Sequence, residues 1–250
     1  MSTEHGWYVY GIVESDVEVL PGNEGVGDPP APVELIRSGE VAALVSRVDV
    51  DKPLGSRADL FAHRDVLDAA AGAVPVLPMR FGAVLSSRTA VVHELLEPHA
   101  DEFTDALNQL EGETQYVFHA RYDESALVHE VLSENPDAMA LVEQIRDEPI
   151  ESTRDTRLQL GELLGTAVEA KRSADTDVVI EAVTPVVAAV SVRPPTHEED
   201  AAHVAMLVDI DNSGELEDLL DSLARSWEGR ANARLLGPMA PYDFVTTTQG

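Results

Sequence analysis

The chain has no cysteine, which removes disulfides, thiolate metal sites and cysteine nucleophiles at once and fits a reducing cytosol. Lysine is nearly missing too. Lys52 and Lys171 are the only two, and basic residues together number 17 against 46 acidic ones. No Lys/Arg stripe is available for a phosphate backbone, so nucleic acid is not an expected partner. No apolar run approaches the roughly 18 residues of a membrane span. The opening MSTEHGWYVYGIV lacks a basic segment followed by a long apolar core, so the expectation is a soluble, cytoplasmic chain.

What is abundant is acid. The formal charge of −29 is spread through every segment instead of being gathered into a tail, and the charged positions fall between periodic apolar ones as on solvated faces. Such a surface repels itself in dilute buffer. At about 1 M salt the Debye length is only about 3 Å, so the pattern reads as adaptation to high salt. With 250 residues, 44% of them hydrophobic, there is material for one large core or two ordinary ones.

Trp7–Val13 and Val41–Val48 are short β-rich runs separated by LPGNEGVGDPPAP, a Gly, Pro and acid stretch that reads as loop, and the two runs can pair across it. From Asp59 the apolar positions Leu60, Leu67 and Ala70 recur at helical spacing until Gly72. A longer helical stripe follows through Val92, Leu95, Leu96, Phe103, Ala106, Leu107 and Leu110, and Pro98 is expected to bend or split it. Glu111-Gly112-Glu113 then marks a domain boundary.

Beyond it the pattern predicts a strand over Thr114–Arg121 and helices around Ala126–Leu132, Leu141–Arg146 and Leu160–Val168. Strands follow over Val186–Val192 and His203–Ile210, then a helix capped by Asn212 with Glu215 as reciprocal partner, and a strand over Ala231–Leu236. The stretch from Asp175 to Val190 reads as either helix or strand, with Thr184-Pro185 marking a change. The order β, α, β, β, α, β is that of a ferredoxin-like split βαβ unit. The fold class expected is therefore α+β in two domains, residues 1–112 and 113–236. A tail, 237–250, packs back through Met239, Tyr242 and Phe244 and frays at its polar end.

Several apparent sites dissolve on inspection. Gly22, Gly25 and Gly27 are flanked by Glu24, Asp28 and prolines, unlike a phosphate loop that opens a helix. His197 and His203 are six apart, not the four that shares a helix face, so the loop between them reads as solvated acid and not as a metal site. His63-Arg64-Asp65 copies a kinase triplet without the rest of that machinery. No GxSxG elbow and no catalytic constellation is found, and neither cofactor nor metal is expected.

The most specific segment is Val74–Ser87, VPVLPMRFGAVLSS. Two prolines, an isolated Arg80 and the Phe81-Gly82 pair interrupt an apolar run, which a plain buried strand does not explain. Arg80 in this setting either pairs with a carboxylate, pinning the segment to a neighbouring helix, or presents its planar donors to a carbonyl cluster or a partner. The segment resembles the heart of the GvpL/GvpF family of gas vesicle proteins, where a similar stretch follows a helix carrying a histidine, here His63. Tyr8-Val9-Tyr10-Gly11-Ile12-Val13 is similar to that family's first strand. Gly237-Pro238-Met239-Ala240-Pro241-Tyr242-Asp243-Phe244 is similar to its closing motif, with Met239 where Trp is frequent.

The resemblance implies a non-enzymatic accessory protein or minor component of gas vesicles, found in the cytoplasm and at the vesicle. Its implied partners are the gas vesicle wall protein and other accessory gas vesicle proteins, with Arg80, Phe81, Tyr242 and Phe244 as the residues expected to meet them. A sensor or enzyme using a small molecule on the ferredoxin-like half is the rival class. A subunit that coats the vesicle permanently is a third.

Overall fold

A computed structural model describes residues 5–18 and 24–245. These form a mixed α/β protein with two sheets, one five-stranded and one four-stranded. Its residues divide into two compact units. One comprises the chain up to Gln115 together with Leu207–Ile210 and the segment from Gly237, and the other comprises Tyr116–Met206 and Asp211–Leu236.

In the first unit β1 (His5–Glu14) is central, paired antiparallel with β3 (Val41–Asp49), which in turn pairs with β2 (Val33–Ser38). The expected pairing of the first two runs across the loop is thus present. The strand β2, which the sequence pattern does not predict, lies at the sheet edge, and only Leu35 and Ile36 in it are buried. Helix α1 (Arg57–Ala71) starts in a capping box in which Ser56 accepts the Asp59 amide and Asp59 answers to the Ser56 amide. Its buried stripe is His63, Val66 and Leu67, whereas Leu60, expected inside, is 48% exposed.

The signature segment is two very short strands, β4 (Leu77–Pro78) and β5 (Val84–Leu85), both paired with β1. Next come α2 (Arg88–Ala90), a π turn over Val91–Leu96, a 3-10 turn over Glu97–His99 and α3 (Ala100–Gln109). Pro98 sits in the 3-10 turn, so the missing amide splits the helix where expected. Tyr8, Tyr10, Leu44, Val66, Leu67 and Val76 share one core with Ala240 of the tail.

The second unit carries β6 (Glu113–Tyr122), α4 (Glu124–Glu134), α5 (Pro136–Ile145), α6 (Arg154–Val183), β7 (Ala189–Val192), β8 (Asp200–Asp209), α7 (Ser213–Ser226) and β9 (Ala231–Met239), a few strand residues of which group with the first unit. The strand order is β7-β8-β6-β9. The ambiguous stretch is helix as far as Val183, and the following strand shrinks to Ala189–Val192. Asn212 does not cap α7 with its side chain. It ends a 3-10 turn at φ −95°, ψ −1°, not in the extended geometry that aims a cap at the helix amides.

Alternation along β6 puts Phe118 against Trp227 and Tyr122 against Asp175 of α6. Arg230 grips Asp175 with two N–H groups at 2.9 and 2.7 Å and Glu130 with a third at 2.9 Å. This planar fork locks α4, α6 and the approach to β9 together. His119 and Arg121 lie at the alternate positions of β6.

Candidate functional site

Three sequence segments far apart in the chain meet around His63. Tyr8 of β1 donates its hydroxyl proton to His63 Nδ1 (2.9 Å), and the same oxygen accepts the Gly82 amide at 3.2 Å. The Phe81 ring meets Tyr8 edge-on at 5.8 Å and His63 at 5.5 Å, while Tyr10 stacks on His63 at 5.8 Å. Tyr10 donates to Ser46 Oγ (2.9 Å) and receives the Val26 amide (2.8 Å). Each buried hydroxyl therefore has both a donor and an acceptor partner, as burial requires.

Electrostatics follows from that burial. Desolvation pushes the Tyr8 hydroxyl up to about 12, against a smaller opposite effect of the Gly82 amide, and raises Tyr10 as well. Burial holds the His63 pKa below 6.5, so the ring is neutral at pH 7. Because the Tyr8 oxygen already accepts the Gly82 amide and its own proton has no other acceptor than Nδ1 among the described residues, the ring proton is assigned to Nε2, which is buried without a hydrogen-bond partner. The Met79 carbonyl favours the charged ring but lacks hydrogen-bond geometry to it. Burial pushes the Asp59 carboxyl up, yet donors from Ser56, Gly27 and Gly55 together hold it below 3.8.

The signature motif now has a physical reading. Val76, Leu77 and Pro78 are buried, the Met79 amide bonds to the Tyr10 carbonyl (2.8 Å), and the Val9 amide bonds to the Ala83 carbonyl (2.9 Å). Between these pins Met79–Ala83 forms a loop, which Gly82 allows by taking φ +93°. Phe81 turns inward. Arg80 turns outward: it is exposed and makes no hydrogen bond, ion pair or ring contact among the described residues. The expectation that it pins the segment through a carboxylate is thereby corrected, since the backbone bonds of Met79 and Ala83 do the pinning.

The tail reaches the same unit. Ala240 and Pro241 are buried, the Ala240 amide bonds to Asp68 of α1 (3.1 Å), and Asp243 exchanges two hydrogen bonds with Gln115. Tyr242 is 39% exposed and Phe244 half-buried, so backbone and carboxylate contacts, more than aromatic burial, hold the tail. Burial first, then the nearby Asp68 and Tyr8, push the Tyr242 hydroxyl up. The polar end, 246–250, lies outside the described residues.

Other residues weighed in the sequence take ordinary places. Gly25 packs its α-carbon against Tyr10 and Ser46, and Gly27 adopts φ +107° in the turn; Gly22 lies outside the described residues. Arg64 pairs with Asp65 on the face of α1. His203 pairs not with His197 but with His119 across the sheet, ring centroids 4.6 Å apart, with Asp200 between them in hydrogen-bond contact with His119. Spacing along the chain cannot reveal a neighbour on another strand. Tyr8 and Tyr10 were legible as strand but not as hydroxyl partners of His63 and Ser46.

This architecture is shared with gas vesicle protein GvpF. The crystal structure of GvpF from Anabaena sp. PCC7120 superposes with TM-score 0.82, covering 99% of this chain and 100% of that one at 22% identity. The GvpF structure from Microcystis aeruginosa gives 0.78 over 96% and 98% at 20% identity. The class is thus the mixed α/β fold of the GvpF structures.

The family model described as gas vesicle synthesis protein GvpL/GvpF matches residues 6–246, and the chain belongs to that family, whose members take part in gas vesicle formation. It is 35% identical over 245 residues to gas vesicle protein F of Streptomyces sp. (strain CB03234), covering 95% of this chain and 98% of that protein. It is 28% identical over 271 residues to gas vesicle protein L1 of Halobacterium salinarum, covering 98% and 92%.

Proposed function

We propose that this chain acts in gas vesicle formation by binding, without catalysis, and that it holds the gas vesicle wall protein, other accessory gas vesicle proteins, or both. The observation that carries this reading is Arg80. A guanidinium with no partner among the described residues stands on a loop whose backbone is held on both sides by Met79 and Ala83, so the donors are unspent and the backbone that carries them is fixed before binding. Phe81 fixes the loop from inside, and Tyr242 offers a second exposed aromatic group from the tail, with Phe244 beside it; Arg and aromatic side chains are the usual hot-spot residues of interfaces. At high salt, apolar contact strengthens while exposed charge contacts weaken, and we assign the acidic surface to such an environment.

The strand order β7-β8-β6-β9, with α6 and α7 as the crossing helices, supports a ferredoxin-like C-terminal domain over 113–236. Residues 1–112 form the other domain, and 237–250 the returning tail.

The test is co-purification of tagged protein with the wall protein at molar salt, comparing wild type with Arg80→Ala and Tyr242→Ala. Loss of the wall protein in folded variants supports the reading. Full retention by both variants sends binding elsewhere, and no retention by wild type rules out a direct stable complex.

A further inference from the structure

The second unit contains a cavity of about 460 Å³ lined by His119, Arg121, Tyr122, Glu199, Asn232 and Arg234. In a chain with so few basic residues, two arginines and a histidine on one cavity demand an explanation. Just inside lies Asp200, 1% exposed. Its Oδ1 accepts from His119 Nε2 (2.8 Å) and Arg121 Nε (3.1 Å), and its Oδ2 accepts from the Thr196 amide and hydroxyl and the His197 amide. The carboxylate is saturated. Burial pushes its pKa up, but His119, Thr196 and His197 together hold it well below 3.8.

His119, Asp200 and His203 have ligand-type atoms within 4.8 Å of one another, a grouping that invites a metal ion. The proton positions argue otherwise. A guanidinium can only donate. Arg234 Nη2 stands 3.3 Å from His119 Nδ1, and Arg193 Nη1 stands 3.4 Å from His203 Nε2, so those nitrogens are the acceptors and the protons sit on His119 Nε2 and His203 Nδ1. A metal-binding histidine has the reverse pattern, with a lone pair toward the ion and its other N–H toward an acceptor. His203 Nδ1 is buried without a hydrogen-bond partner, the nearby Pro194 carbonyl being out of geometry. The cluster has a surplus of donors, not of lone pairs.

That surplus continues into the cavity. Arg121 spends only Nε on Asp200 and Arg234 only Nη2 on His119, and their other N–H groups have no protein acceptor among the described residues. We propose that the cavity is an oxyanion site, taking the phosphate or carboxylate group of a small molecule between the guanidiniums of Arg121 and Arg234. Both groups match the fork geometry of arginine. Asn232 adds a neutral amide. Glu199 opposes the anion and so limits affinity.

The experiment follows arginine side-chain N–H resonances by NMR during titration with inorganic phosphate and, separately, acetate, at constant ionic strength in KCl. Saturable shifts of Arg121 and Arg234 are expected. Arg234→Gln, at a residue whose one side-chain contact among the described residues is to His119, should weaken binding about tenfold or more, the size of a hydrogen bond between charged groups. Glu199→Gln should tighten it, and Arg64→Gln, in the other unit, should leave it unchanged. Tighter phosphate than acetate assigns a phosphate-bearing ligand, and the reverse assigns a carboxylate. Absence of saturation, indifference to Arg234→Gln, or retention of one zinc ion after dialysis against zinc chloride would overturn the proposal.

Discussion

The hydroxyl of Tyr8 stands 2.9 Å from Nδ1 of His63, 55 residues further along the chain, and carries the Gly82 amide on its other side. One oxygen thus ties β1, α1 and the signature loop. Tyr8→Phe keeps the ring contacts but strands the histidine acceptor and the loop amide. The expected loss is roughly 1–3 kcal/mol of unfolding free energy, the range for buried groups left without partners. Urea denaturation checks it. A midpoint equal to wild type would mean that ring packing alone closes the site.

His63 also makes stability depend on pH. Its folded pKa lies below the ordinary 6.5, so between those two values the unfolded chain binds more protons than the folded one, and stability rises with pH. The contribution is complete above about 6.5 and erodes as pH falls below it. His203 acts with the same sign. Asp68 and Glu113, whose carboxyls burial pushes up, act with the opposite sign. The His63 share is therefore read as a difference: His63→Phe should show a flatter dependence of the urea midpoint between about pH 5 and pH 7.5 than wild type. Parallel profiles would show that the ring does not titrate with unfolding.

Much of this was legible in the chain, and the misses have definable causes. Periodicity located β1, β3, α1, the break at Pro98 and the order of elements after Gly112, because those segments carry one buried face each. It missed β2, which follows a proline-rich stretch and buries two consecutive residues, Leu35 and Ile36, without alternation. Leu60 matched the helical spacing yet faces out, since the buried stripe is organised by His63, a polar residue no hydrophobic count includes. At the site, the motif pointed to Phe81 and His63, but the hydrogen bonds of Tyr8 to His63, of Tyr10 to Ser46 and Val26, and of Asp59 to Gly27 join segments far apart in the chain, which sequence spacing does not encode. Arg80 stands out in the sequence by its isolation among apolar residues; of the roles that setting allows, an intramolecular carboxylate partner is not found among the described residues.

Glycines in this chain divide sharply by surroundings. A Cβ on Gly25 would lie 2.1 Å from Tyr10 Oη, 2.5 Å from Ser46 Oγ and 2.9 Å from the Ala31 carbonyl. Gly25→Ala must push the Tyr10 hydroxyl off its partners and should cost roughly 1–3 kcal/mol or more, as overpacking does. Gly161 and Gly165 lie inside α6 with nothing within 4 Å of a built Cβ. Changing either to Ala should stabilise by about 0.5–1 kcal/mol through backbone entropy. Thermal unfolding of the three variants gives opposite shifts if packing decides. Equal shifts would refute the distinction.

The acidic surface makes the last prediction an electrostatic one. With 46 acidic against 17 basic residues, folding gathers like charges onto a smaller surface, and their repulsion reaches about 30 Å at 0.01 M salt but only about 3 Å at 1 M. Partly buried pairs such as Arg230 with Asp175 are screened far less and change little over that range. Repulsion therefore dominates the salt response. Transfer from molar KCl to dilute buffer should lower the melting temperature or unfold the protein outright. Replacing KCl by potassium glutamate or sodium chloride at equal ionic strength should restore most of the loss, because screening does not depend on the identity of the ion. A melting curve indifferent to dilution would mean that the acidic residues are spaced widely enough to cost little even unscreened, and the reading of the chain as salt-adapted would fall with it.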